Sequence, residues 1–111
     1  MSADCLFCKI IAGEIPSTKV HENDHVFAFA DINPAAPTHI LVIPKQHVAC
    51  AADVEDPQIY AHVMAGCRDV ARQLGLTDYR LAVNNGAGAG QTVFHLHMHV
   101  LAGRQFTWPP G

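Results

Sequence analysis

Eight of the 111 residues of this chain are histidines, against ten Asp plus Glu, and three of the eight fall in one short run. Residues 93–101 read VFHLHMHVL, so His95, His97 and His99 alternate with Leu96 and Met98. On a β-strand, successive side chains point to opposite faces. The three imidazoles would then share one face, and Phe94, Leu96, Met98 and Val100 the other. A lone histidine on such a strand reads as a satisfied core residue. Three in register do not: a buried row needs partners for every ring nitrogen, and a solvated row sits oddly behind so apolar a face. One tetrahedral metal explains only part of the row, since His95 and His99 are roughly 13 Å apart along a strand rising about 3.3 Å per residue, while Zn–N bonds are about 2.0 Å. At least one imidazole is left to act as nucleophile, acid or base near neutral pH.

The preceding loop, NNGAGAGQT, supplies a second element of chemistry. Gly86, Gly88 and Gly90 allow left-handed backbone and let N–H groups approach an anion with no side chain in the way. Alone they would make a hairpin connection; beside the histidine row they read as a phosphate cradle. The loop is not a P-loop, because Gly-Lys-Ser/Thr is missing and a strand follows in place of a helix. A third element is the pair Cys5 and Cys8, whose C-x-x-C spacing suits a metal or redox site in a reducing compartment. Cys50 and Cys67 read as small core residues.

These groups need elements to hold them. LFCKIIAGEIP reads as a short helix stopped by Gly13 and Pro16. A short strand at residues 18–21 pairs through the turn ENDH with Val26–Ala30, and HILVIPK is a β-branched strand ended by Pro44. The clearest helix runs from the cap Asp56-Pro57 to Gly75, with Ile59, Val63, Cys67, Val70 and Leu74 on one core-facing stripe. YRLAVNN is a further strand. Strands in runs, with two helices set apart, indicate an α+β meander.

Length and composition bound the rest. The chain has the size of a single domain, and half its residues are apolar with 15% charged, as in a packed globular protein. The net charge of −3 and the lack of a basic run exclude the footprint of a duplex-binding surface, though not a single nucleotide. Neither a signal peptide nor an 18-residue apolar span is seen, so a cytoplasmic protein without a membrane partner is expected.

The string HLHMHVL resembles the histidine triad signature. KIIAGEIPS, FADINPAAPTHILVIPKQH, NNGAGAGQTVFHLHMHVLAGR and the terminal WPPG extend the resemblance over nearly the whole chain. They are similar to the Hint branch of the histidine triad (HIT) family, the purine nucleoside phosphoramidate hydrolases once described as protein kinase C-interacting proteins. The resemblance implies one HIT domain over residues 1–111, with an antiparallel five-stranded sheet, two helices and a sheet continued across a homodimer. It implies hydrolysis of AMP-amine substrates, with His97 as the nucleophile that forms a covalent nucleotidyl-histidine. His99 would contact the phosphate and assist proton transfer to the leaving amine, and His39 would lie behind the nucleophile and fix its tautomer. Thr92, where the family usually has serine, Asn84 and the backbone of Gly90 would hold the phosphate. Asp31 would bind the ribose, and Phe7, Ile10 and Ile32 would enclose the base. Trp108 would act on substrate choice across the dimer. Asn85 departs from the glutamate of familiar members. Members with the cysteine pair bind zinc, and the matching ligands here are Cys5, Cys8, His47 and His95, a structural site with no catalytic metal. The related dinucleoside polyphosphate hydrolases, and a nucleotide-binding scaffold, are the competing readings.

Overall fold

The computed structural model describes residues 4–111; the first three residues of the single-domain reading lie outside it. Helix α1 (Leu6–Ile11) is followed by strands β1 (Lys19–Glu22), β2 (Val26–Ala30) and β3 (Thr38–Pro44). Helix α2 (Pro57–Leu74) and strands β4 (Tyr79–Ala82) and β5 (Met98–Ala102) complete the order. The strands form one antiparallel sheet, β1-β2-β3-β5-β4, as expected of the α+β class.

The apolar pattern of β2 and β3 explains why the sheet is covered on both sides. Phe27, Phe29, Leu41 and Ile43 pack with Phe7, Cys8 and Ile10 of α1. The alternate residues Val26, Ala28, Ile40 and Val42 pack, together with Val100 of β5, on Val63, Cys67 and Val70 of α2. A strand buried on both faces reads as a near-continuous apolar run, which is what HILVIP is. Gly66 of α2 permits the close approach, since a Cβ there would stand 2.9 Å from Val42 and 3.0 Å from Val26.

Helix α2 keeps the expected ends. Asp56 caps the start by accepting the Gln58 N–H, and Gly75 closes the last turn in the left-handed region at φ 69°. Leu74 departs from the expected stripe: it is 41% exposed at the last turn, and Leu76 packs against the sheet cluster in its place.

The histidine run is also not one continuous strand. Strand β5 begins at Met98, so His95 and His97 precede it. The ladder with β3 ends at the pair Val42↔Met98, and the next residue of that face on β3 is Pro44, which has no N–H to donate. The Leu96 N–H turns instead to the Val48 carbonyl at 2.7 Å. The alternation of faces survives. Leu96 packs with Val48 and Ile59, and Met98 and Val100 pack on the α2 side, whereas Phe94 is 47% exposed and belongs to neither layer. Among the described residues no helix is long and apolar enough to cross a membrane.

Candidate active site and metal centre

The α1 side of the sheet carries the histidines. A cavity of about 310 Å³ opens there, lined on one side by Phe7, Ile10, Phe29 and Leu41 and on the other by Asp31, His97 and His99. Ile32, Gly90 and Thr92 stand at the same cavity, and Ile32 is 91% exposed. Asn84 is not part of the lining; its amide lies behind Gly90, 3.6 Å from where a Cβ would stand. Gly86 and Gly90 have φ of 94° and 99°, so both need glycine, while Gly88 does not adopt a positive φ and differs from the expectation. Of the other two cysteines, Cys67 is fully buried, whereas Cys50 is only partly so and donates to Asp53.

Hydrogen bonds fix where each proton sits. His97 Nδ1 lies 2.7 Å from the His95 carbonyl, which can only accept, so Nδ1 carries the proton and Nε2 keeps a lone pair. The expected orienting residue, His39, does something else. Its Nδ1 accepts the Ala35 N–H at 3.0 Å, so its Nε2–H donates to His99 Nδ1 at 2.8 Å. His99 is thereby left with its proton on Nε2. The register is the cause: β3 residue His39 stands across from Leu101, two residue pairs along the ladder and on the same face as His99, whereas His97 lies outside the ladder. Asp31 Oδ2 stands 3.5 Å from His39 Nε2 and completes this row.

Burial, with the neighbouring His97 and His39 adding to it, pushes the His99 pKa down to about 4 against the pull of Asp31. Burial likewise lowers that of His39. Both are neutral at pH 7. A histidine that titrates near 6.5 when unfolded and near 4 when folded binds more protons unfolded between those values, so stability falls as pH drops through that window. The expected slope is about 1.4 kcal/mol per pH unit for each such proton. Urea unfolding at pH 7, 6 and 5 checks it: His99→Asn should lose one proton from the slope, and an unchanged slope would contradict the assignment.

A second cluster lies next to the first. Cys5, Cys8, His47 and His95 offer ligand atoms that all lie within 4.8 Å of one another. His95 Nδ1 is 3.3 Å from Cys5 Sγ, 3.6 Å from Cys8 Sγ and 3.2 Å from His47 Nδ1, and Cys8 Sγ is 3.5 Å from His47 Nδ1. A tetrahedral ion with Zn–S of about 2.3 Å and Zn–N of about 2.0 Å sets S···N edges of about 3.5 Å and N···N edges of about 3.3 Å. The donor set therefore fits a structural zinc. His95 Nε2 donates to the Pro44 carbonyl at 2.8 Å, which holds the tautomer with Nδ1 free to ligate. Burial pushes the His95 pKa down to about 4, so the imidazole is neutral, as a ligand must be.

Gln91 escaped the sequence reading. It is 3% exposed, accepts the Gly86 N–H at 2.8 Å, and donates to the Ala49 and Val93 carbonyls at 2.8 and 3.1 Å. This one amide closes the glycine loop and ties it to the segment after β3. The only available signal was its place between the glycines and the apolar histidine run. Gln91→Leu leaves three backbone groups unpaired and should cost about 2–3 kcal/mol by urea unfolding; a loss under about 0.5 kcal/mol would show that the clamp is dispensable.

The comparisons with known proteins agree with this geometry. The sequence matches the HIT domain family over residues 12–106. A 14 kDa zinc-binding protein of Zea mays is 47% identical, with 96% of this chain and 87% of that protein covered. The crystal structure of a HIT family hydrolase from Legionella pneumophila superposes with a TM-score of 0.92 at 49% identity, covering 97% of this chain and all of that one. A histidine triad nucleotide-binding protein from Candida albicans gives 0.84 at 34% identity, covering 96% and 83%. Three histidines at the end of a five-stranded antiparallel sheet, Gly90 at the cavity that two of them line, and matches across nearly the whole chain lead to one conclusion: this chain belongs to the HIT domain family.

Proposed function

We propose that the chain is a purine nucleoside phosphoramidate hydrolase that works through a covalent nucleotidyl-histidine. The observation that carries the reading is the His97 Nδ1–H bond to the His95 carbonyl, which leaves Nε2 with a lone pair at a cavity shared with His99, Thr92 and Asp31. Phe7, Ile10 and Ile32 offer an apolar slot for a base, Asp31 an acceptor for ribose hydroxyls, and the backbone of Gly90 and the Thr92 hydroxyl donors for phosphate. Asn84 acts on the phosphate through the Gly90 segment it backs.

The chemistry follows. Nε2 of His97 attacks the α-phosphorus and the P–N bond breaks, giving a free amine and a nucleotidyl-His97. Water then attacks the phosphorus and gives a proton to solvent, the P–Nε2 bond breaks, and the mononucleotide leaves with His97 restored. The leaving amine needs a proton. It comes from solvent as the P–N bond breaks, while neutral His99 turns its Nε2–H to the phosphate oxygen beside the leaving group. His39 holds His99 in the orientation that presents Nε2. Transfer to phosphorus depends mainly on positioning and on stabilising oxygen charge, which these donors supply. The metal cluster is given a structural role: Cys5, Cys8, His47 and His95 would hold a zinc with no open position.

A homodimer is part of the same reading. Strand β4 is a sheet edge, with Tyr79 and Trp108 exposed beside it, and a second copy pairing there would extend the sheet and bring Trp108 toward the partner's substrate. Amine release from an adenosine 5′-phosphoramidate, run beside diadenosine tetraphosphate, tests the assignment. Turnover of the phosphoramidate alone supports it. Turnover of the dinucleotide alone would move the chain to the polyphosphate hydrolases, and AMP binding without either would make it a nucleotide-binding protein.

A further inference from the structure

His95 belongs to two sites at once. Its ring nitrogen is a member of the Cys₂His₂ donor set, and its backbone carbonyl is the group that fixes the tautomer of His97. Helix α1 makes a second link. It has six residues, too few to persist unaided, and it carries Cys5 at its cap, Cys8 within it, and Phe7 between them. The Phe7 ring stands edge-on to His97 at 5.2 Å and lies 6.0 Å from His95. The metal donors therefore anchor both the wall of the nucleotide cavity and the hydrogen bond that sets the nucleophile.

The cluster is also reachable. Cys5 and His47 line a cleft of about 440 Å³ with Leu6, Thr92 and Val93, and the last two and Leu6 line the nucleotide cavity as well. Cys5 Sγ accepts the Cys8 N–H at 3.3 Å, which holds the two cysteines of the C-x-x-C pair together.

We infer that Cys5 and Cys8 form a thiol switch, in which a peroxide-class oxidant turns the zinc-holding pair into a disulfide and so unsets His97. The inference goes beyond the hydrolase reading and rests on it for the role of His97 and for AMP as a ligand of the cavity. The Cys5 sulfur attacks one oxygen of hydrogen peroxide, the O–O bond breaks and hydroxide leaves, giving a sulfenic acid. The Cys8 sulfur attacks that sulfur, the S–O bond breaks, a second hydroxide leaves and the S–S bond forms. Two electrons pass from the two sulfurs to peroxide, and two solvent protons convert the hydroxides to water. The disulfide offers no thiolate, so the metal is lost and His95 Nδ1 keeps only the His47 ring beside it, at 3.2 Å. Cys50, whose sulfur donates to Asp53, stands outside the switch.

The test uses the zinc-loaded chain in a Cys50→Ser background, treated with hydrogen peroxide. Zinc release is read with a chromogenic chelator, the disulfide by intact mass, the His97 tautomer by ¹⁵N NMR of the ring, and AMP affinity by calorimetry. The expected result is zinc release in step with loss of two hydrogens, a changed His97 ring spectrum, and AMP Kd weakened at least about tenfold, all reversed by dithiothreitol with zinc. Zinc retained after peroxide is consumed, or a disulfide that leaves the His97 spectrum and Kd unchanged, would overturn it. Cys5→Ser should abolish both zinc release and disulfide formation by peroxide; retention of either would equally overturn it. Failure of AMP to bind the reduced, zinc-loaded chain would count against the nucleotide reading, while zinc and mass still judge the switch.

Discussion

His97→Ala should reduce amine release from an adenosine 5′-phosphoramidate by at least about 10³-fold, because removal of a nucleophile removes the covalent route and not merely a contact. The loss should appear in kcat. The cavity walls, Phe7, Ile10 and Asp31, are untouched, so AMP should still bind within about tenfold of wild type. The fold should survive as well. His97 borders the cavity, and the His95 carbonyl it leaves can be satisfied by water entering from there, so a cost of about 1 kcal/mol is expected. His97→Asn is the stricter comparison, since its amide can keep a donor toward the His95 carbonyl and still lacks the nucleophile. Amine release retained by both variants would remove His97 from the chemistry.

His95→Ala should act first on the fold and the metal. The ring is fully buried and its Nε2 donates to the Pro44 carbonyl, so truncation opens a cavity, orphans that carbonyl and deletes a metal ligand. The cavity and the unpaired group together should cost about 3–5 kcal/mol, which for a domain of this size lowers Tm by roughly 10–25 °C. Zinc content should fall with it. Calorimetry and metal analysis on the same preparations check both, and a variant that keeps zinc and loses under about 1 kcal/mol would show that His95 is not a ligand. On these expectations His97 acts in the reaction itself, and His95 acts on it only through the fold and the metal.

The sequence by itself determined most of the scaffold. The cap at Asp56-Pro57 and the stop at Gly75 delimited α2, and the apolar runs VFAFA and HILVIP placed β2 and β3, because caps and periodicity are local signals that carry their own boundaries. The spacing of the histidine row put three imidazoles on the face opposite Leu96, Met98 and Val100, and resemblance named the zinc ligands that the fold then brought within 4.8 Å. Tertiary structure alone decided the proton map. Which histidine His39 addresses depends on the register of β3 against β5, and His97 Nδ1–H turns back to the carbonyl two residues before it where the chain lies outside the ladder that begins at Met98. The same holds for Gln91, whose three partners at residues 49, 86 and 93 meet only once the sheet has formed. A hydrogen bond is specified by angles and distances of a few tenths of an ångström, and residue type fixes only who can donate and who can accept.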